Sequence, residues 1–528
     1  MSGTDIAARE PYQMGTIPHI LIIGAGIAGL STAAALAHAG FPVTVLEAHV
    51  YPGGCAATFR YQGHWFDAGA TLTAGFLPGG PMQLLGRAAG VSTWPVRPLE
   101  PAMVVHLLDG PMVPRWGDER RWDVYGSLFP QSLPFWQWQE ATASQLWDFA
   151  LRLPELHPRH LWSLRELLGA VGHWILQARP SPRLLADLLR PVVYRLPADA
   201  TFRRFIDAQL LIAAQATSHE IYALYAAAAL DLPNRGVVEV TGGVGGIART
   251  LVSTIERHGG TVLLRHEVTS IRRRGKTWEV TTNRGLTLTG DELVAALTPW
   301  GLGQIWYDAP SSFRARLTTP PKGWGAFVLY LSLENATVPT DIALHHQVVA
   351  SGPLGEGRSI FLSLSPEWDS TRAPVGRRAA TMSTHTQYAQ WWKLAHQSRE
   401  GYHEAVARMI EQMVVTASAA LPWLRQAIRF VLPGTPLAFA RFTRRPYGWV
   451  GGFPQRHPFV GWPTEIGAHL WLVGDSVFPG QSIPASALAG LRVARAIARL
   501  YRADLHLSAD EPSLAVEPGV MRSTTQRK

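Results

Sequence analysis

Residues 20–29 read Ile20-Leu21-Ile22-Ile23-Gly24-Ala25-Gly26-Ile27-Ala28-Gly29, and residues 43–47 read Val43-Thr44-Val45-Leu46-Glu47. Four consecutive aliphatic residues predict a strand buried on both faces. The small residues from Ala28 to His38 predict a helix, Gly40-Phe41-Pro42 a turn, and Val43–Leu46 a second strand. In such a βαβ unit Gly24 allows the tight turn, Gly26 lets backbone N–H groups approach a pyrophosphate, and Gly29 allows close helix–strand packing. The helix N-terminus adds a dipole that favours phosphate. Glu47 falls 23 residues after Gly24, at the strand end where a carboxylate accepts hydrogen bonds from an adenosine ribose. A glycine-rich helix start also arises from packing alone. Strand, loop, helix and acid in this order point to a dinucleotide site.

Two later stretches repeat the α/β grammar. Val237 opens one, with glycines at 242, 243, 245 and 246, a helix over Ile247–Arg257, the turn Gly259-Gly260 and a strand over Thr261–Leu264. The other is a strand over Leu470–Val473, a loop and a helix from about Ala485 to Tyr501. The expected fold is α/β: a discontinuous Rossmann-type domain from 17–95, 236–300 and 466–504, with an inserted α+β substrate domain from 96–235 and 301–465. The leader 1–16 and the tail 505–528 are polar and expected to be disordered.

Composition narrows the function classes. At 528 residues with 47% apolar and 16% charged residues, the chain is globular and greasy, and 20 tryptophans carry much of that weight. No uncharged apolar run reaches the length of a membrane span, and the first 18 residues lack the apolar core of a signal peptide. The single cysteine, Cys55, rules out an intramolecular disulfide and suits a reducing, cytoplasmic compartment. The net charge of +9 contains one short basic cluster, Arg272-Arg273-Arg274, which reads as a solvated hairpin edge. Nucleic-acid binding is not expected. Basic and Trp-rich together suit a peripheral contact with an anionic membrane face.

Outside the βαβ unit, Pro52-Gly53-Gly54 offers a second small-residue loop beside the pyrophosphate. Leu472-Val473-Gly474-Asp475-Ser476, then Pro479-Gly480-Gln481, ends a late buried strand in Gly-Asp. That arrangement puts a carboxylate beside a ribityl chain and points to FAD, although Gly-Asp is also an ordinary turn pair. With Val45-Leu46-Glu47-Ala48, Phe66-Asp67-Ala68-Gly69-Ala70, Gly242-Gly243 and Ala489-Gly490, these segments resemble the FAD-dependent carotenoid desaturase/isomerase family, the phytoene-desaturase-like proteins. The likeness spans nearly the whole chain without its tails. Gly53–Arg60, His345-His346-Gln347, Gly355–Ser359 and Leu362–Ser365 look most like carotenoid 3',4'-desaturases. The resemblance implies noncovalent FAD held by Gly24, Gly26, Gly29, Glu47, Gly54, Val268 through its backbone, and Asp475. Ile27, Ala28, Ala48, Gly474, Gln481 and Ile483 complete the candidate cofactor set. Phytoene desaturases commonly have Arg where this chain has Cys55, so the resemblance implies that an Arg contact to the pyrophosphate is either absent or comes from elsewhere, with Arg60, equally readable as a surface Arg after a turn, as the candidate.

No acid–base pair, nucleophile elbow or metal-ligand cluster stands out, and His345 and His346, adjacent on a strand, point to opposite sides. Catalytic side chains are therefore left open, which suits hydride transfer to flavin N5 in a shaped apolar pocket. The resemblance implies desaturation of a carotenoid-type polyene. A flavin-dependent cis–trans isomerase and a non-enzymatic prenyl-lipid escort protein are the alternatives. Leu161, Leu164, Leu168, Val171 and Ile175 share one helical face flanked by Trp162 and Trp174, with Arg165 and Glu166 off it. A second helix is expected to carry Leu184, Leu188 and Val192 beside Leu185, Leu189 and Val193. Both stripes suit either a lipid face or the domain core.

Overall fold

A computed structural model describes residues 17–178, 182–318, 323–449, 461–505, 507 and 515–516. The opening βαβ unit forms as read: strand β1 Ile20–Ile23, helix α1 Ile27–His38 and strand β2 Val43–Leu46. β1 lies inside a six-stranded sheet in the order Thr261–Leu263, β2, β1, Glu292–Ala295, Leu470–Leu472, Glu465–Gly467. The first five strands are parallel and the last is an antiparallel edge. Burial on both faces explains the unbroken aliphatic run of β1.

Small residues let the helices close on one another. A Cβ on Gly490, in the helix Ile483–Leu500, would lie 2.4 Å from the carbonyl oxygen of Ala28. Thr32 Oγ1 donates to the carbonyls of Ala28 and Gly490 at 3.0 and 3.1 Å, tying the third α/β piece to the first.

A second sheet has seven strands in the order Ile428–Gly434, Gly325–Glu334, Arg377–Thr386, Ser359–Leu364, His345–Val349, Met103–Leu107, Met112–Arg115. It takes strands from both inserted segments. Helices Leu133–Leu151, Ala200–Ala214 and Ala223–Leu230 pack near its Met112–Arg115 edge around an aromatic core that includes Tyr125, Trp136, Phe202 and Phe205. The Arg272–Arg274 triplet ends one strand of a three-stranded antiparallel sheet at a turn, as a hairpin edge.

Two expectations need correction. The helix Pro182–Leu189 stops before Pro191, and Val192–Arg195 forms a separate 3-10 turn with Val192 buried, so no continuous second stripe exists. The side chains of Leu184 and Leu185, like the leader 1–16, lie outside the described residues. The tail is not wholly unstructured: Leu505 is buried in the core, and Ala515–Val516 pairs with Thr93–Trp94.

Candidate functional site

The two sheets enclose a cavity of about 1480 Å³. Its polar end is built by the turns that leave the first sheet. Gly24 has φ +97°, and its N–H donates to the Leu46 carbonyl at 2.8 Å, so the turn is pinned to β2. A Cβ on Gly29 would lie 2.3 Å from the Gly24 carbonyl oxygen, so this glycine serves packing and does not line the cavity. A Cβ on Gly26 would meet nothing within 4 Å, and Gly26, Ile27 and Ala28 open onto the space. Gly53 N–H donates to the Ala25 carbonyl at 2.8 Å, and a Cβ on Gly54 would sit 3.3 Å from Gly26 Cα. The two glycine loops therefore form one cradle.

Glu47 Oε2 accepts from Ala25 N–H at 2.7 Å and Oε1 from His49 N–H at 2.8 Å. Burial raises its carboxyl above the ordinary range, opposed by those two backbone donors. Ala48, Val268, Gly474, Asp475, Gln481 and Ile483 also line the cavity. Gln481 donates to the carbonyls of Ile212 and Ala213 at 3.1 and 2.6 Å, which ties the late loop to the helix Ala200–Ala214.

Arg60 is the misplaced candidate. On the strand Thr58–Tyr61, Phe59 and Tyr61 line the cavity, and Arg60 is exposed and does not line it. The half-buried guanidinium that lines the cavity beside Asp475 is Arg445, which sequence reasoning missed. Its Nη1 and Nη2 donate to Asp475 Oδ2 at 2.8 Å each, and Nη1 reaches Cys55 Sγ at 3.4 Å. Burial opposes its charge, but Asp475 and Cys55 more than offset this and raise it above the ordinary arginine value. Near Val268, Arg444 Nε pairs with Glu267 Oε1 at 2.7 Å. No periodicity marks Arg444-Arg445. The Pro446-Tyr447-Gly448 turn that follows them is the sole local signal.

Beyond this polar end the walls become apolar, through Leu72, Met103, Ile212, Leu230, Ile360 and Phe361. Tyr330 donates to the Ala68 carbonyl at 2.6 Å and is raised by burial. His385 also lines the space, and burial lowers it to about 4, so it is neutral near pH 7. Among the described residues, no group of His, Cys, Asp and Glu could hold a metal ion.

These residues fit FAD. The glycine cradle leaves open space at a helix N-terminus, a carboxylate ends β2, and a paired Arg and Asp close the far side. Residues 27–498 match the family described as flavin containing amine oxidoreductase. The chain is 26% identical over 520 residues to prolycopene isomerase 1, chloroplastic, of an Oncidium hybrid cultivar, covering 94% of this chain and 85% of that one. It is 25% identical over 506 residues to the neurosporene-forming phytoene desaturase of Cereibacter sphaeroides, covering 88% and 91%. Putrescine oxidase with putrescine bound superposes with TM-score 0.59 at 15% identity, covering 91% and 99%. Cyclohexylamine oxidase from Brevibacterium oxydans superposes with TM-score 0.58 at 15% identity, covering 92% and 100%. Those two likenesses speak for the fold alone. With a match that spans most of its length and a cavity built for the cofactor, the chain belongs to the flavin containing amine oxidoreductase family and uses FAD.

Proposed function

We propose that this protein is an FAD-dependent enzyme that desaturates a carotenoid-type polyene. The observation that carries the reading is the cavity. At about 1480 Å³ it exceeds the roughly 300–1,000 Å³ of an ordinary ligand pocket, and it runs from a polar cradle to apolar walls. That shape suits a nucleotide cofactor and an elongated hydrocarbon side by side. Both curated relatives described above are named for work on such compounds. FAD supplies a two-electron acceptor for hydride when bound. This chain's part is to hold the cofactor noncovalently through Gly26, Gly54, Glu47 and Asp475, to position the hydrocarbon, and to keep water out. Arg445 fixes Asp475 and bridges it to the glycine cradle.

The second reading is cis–trans isomerisation, favoured by the coverage of the prolycopene isomerase match. Anaerobic single turnover with phytoene, neurosporene and prolycopene in detergent micelles separates the two. Desaturation bleaches oxidised flavin and yields product lighter by two hydrogens. Equal-mass product formed only from pre-reduced flavin establishes the isomerase instead. A purified protein without flavin absorbance sinks both readings and returns the escort alternative. Acid precipitation should release all the flavin, since it is held without a covalent bond.

Peripheral attachment to a membrane is the reading we attach to the helix Leu161–Ala178. Leu161, Leu168 and Leu176 are 80%, 60% and 81% exposed, while Ser163 and Ala170 are buried. Glu166 pairs with Arg495 and Arg499, so the polar side clamps the helix to the protein. The apolar stripe is left facing outward. Among the described residues no helix is long and apolar enough to cross a membrane.

A further inference from the structure

We propose that Thr71, Ser363, His345 and Glu239 form a proton path that opens on the cavity and exchanges the proton a polyene must lose or gain. This rests on the polyene reading above. Thr71 lines the cavity. Its Oγ1 is hydrogen-bonded to Ser363 Oγ at 2.7 Å, and Ser363 Oγ to His345 Nδ1 at 2.8 Å. The other ring nitrogen, His345 Nε2, stands 2.9 Å from Glu239 Oε1. Ser363, His345 and Glu239 are all buried. The strand register sets this line, because His345 pairs directly with Ser363 across His345–Val349 and Ser359–Leu364.

The position of Thr71 gives the line its use. Ala70 N–H donates to the Cys55 carbonyl at 3.0 Å, and Cys55 follows the Gly54 that packs on Gly26. On the other side, Leu72 packs against the aromatic core. Thr71 therefore sits at the seam between the cofactor cradle and the apolar walls. Phe361, itself a lining residue, stacks on the His345 ring at 5.8 Å and 12°, so the imidazole lies one layer behind the surface.

Three buried polar groups in series behind a half-buried threonine are an expensive way to fill space, since an apolar core of equal volume is no less stable. Their order is what a proton path requires. Both hydroxyls accept and donate, and an imidazole accepts on one nitrogen while the other faces a carboxylate.

Desaturation removes two hydrogens from adjacent carbons. One leaves with its bonding pair as hydride, accepted by the oxidised flavin. The other leaves as a proton, and its bonding pair becomes the new π bond. Ser363 Oγ donates to Thr71 Oγ1 in the resting structure, so both hydroxyls first rotate to donate toward His345. The polyene proton then passes to Thr71 Oγ1 as the Thr71 proton moves to Ser363 and the Ser363 proton moves to His345 Nδ1. The net change is one proton on an imidazole that faces the Glu239 carboxylate.

FAD-loaded Thr71→Val and Ser363→Ala test the path. Visible absorbance should show wild-type flavin loading in both. Flavin bleaching by phytoene or neurosporene should slow by about 100-fold or more, the range of general base catalysis, and lose its solvent deuterium isotope effect. Thr71→Ser should recover rate and isotope effect. Wild-type rate and isotope effect in the loaded Thr71→Val protein overturn the path. If no polyene bleaches the wild-type flavin, the polyene reading falls. The path is then judged by the ¹⁵N resonances of the His345 ring in the FAD-loaded protein. A shift in Thr71→Val that is absent in Thr71→Ser supports it, and an unchanged ring in both variants overturns it.

Discussion

At the scale of single residues, Gly26 carries the sharpest expectation. Its φ of −70° is open to any residue, and a Cβ would meet nothing within 4 Å. Gly26→Val should therefore fold normally, yet place a branched side chain where the cofactor's pyrophosphate must approach the protein backbone. The purified variant should lack flavin absorbance while its circular dichroism matches the wild type. Full occupancy would remove Gly26 from the site. Gly24, Gly26 and Glu47 were legible because local geometry fixes their spacing within one βαβ unit. Arg445 was not, because its contact with Cys55 spans 390 residues of chain and leaves no local pattern. Arg60 was misread because a turn-proximal arginine was weighed without the two-residue alternation of its strand, which sends Phe59 and Tyr61 to the cavity.

Among the elements, the helix Leu161–Ala178 shows what periodicity leaves unsaid. The stripe of leucines was legible, but amphipathic spacing does not say which face meets the protein. The answer came from partners far along the chain, since Arg495 and Arg499 hold Glu166. Leu164 and Leu168 are exposed, so replacing both with Ser should leave the fold intact. Binding to anionic liposomes should then weaken by about tenfold or more, from loss of two partly inserted leucines. In the wild type the same binding should fall as salt is raised, because each basic side chain at the surface contributes about 1 kcal/mol. Unchanged binding of a folded double variant would place the contact on another element. The strand His345–Val349 was legible in a different way. Alternation predicted opposite sides for its two histidines, and they do meet separate partners, Ser363 and His106.

For the molecule as a whole, buried histidines set an acid limit. Burial first, then the neighbouring His106 ring, lowers His346 to about 3. The folded protein holds this ring neutral, while the unfolded chain protonates it below about pH 6.5. Stability should therefore fall as pH drops from about 6.5 toward 3, by up to about 1.4 kcal/mol per unit for this group. His346→Gln keeps a donor for His106 without the charge. Between pH 6.5 and 4.5 its urea-unfolding stability should drop by about 2–3 kcal/mol less than that of the wild type. Equal losses in the two proteins would exclude His346 as a source of acid sensitivity. The α/β architecture was legible from three stretches of the same grammar, and an apolar pocket was expected. Its position between the two sheets was not legible, because strand, helix and loop residues far apart in the chain line it together. The order of the first sheet also has a consequence in time. β1 is completed by Glu292–Ala295, which in turn needs Leu470–Leu472. A ribosome adding about 5–20 residues per second takes on the order of 20–90 s to cover the roughly 450 residues from β1 to that last strand. Throughout that interval the nascent sheet has an open aliphatic edge, and the proposed flavin contact at Asp475 has not yet been made.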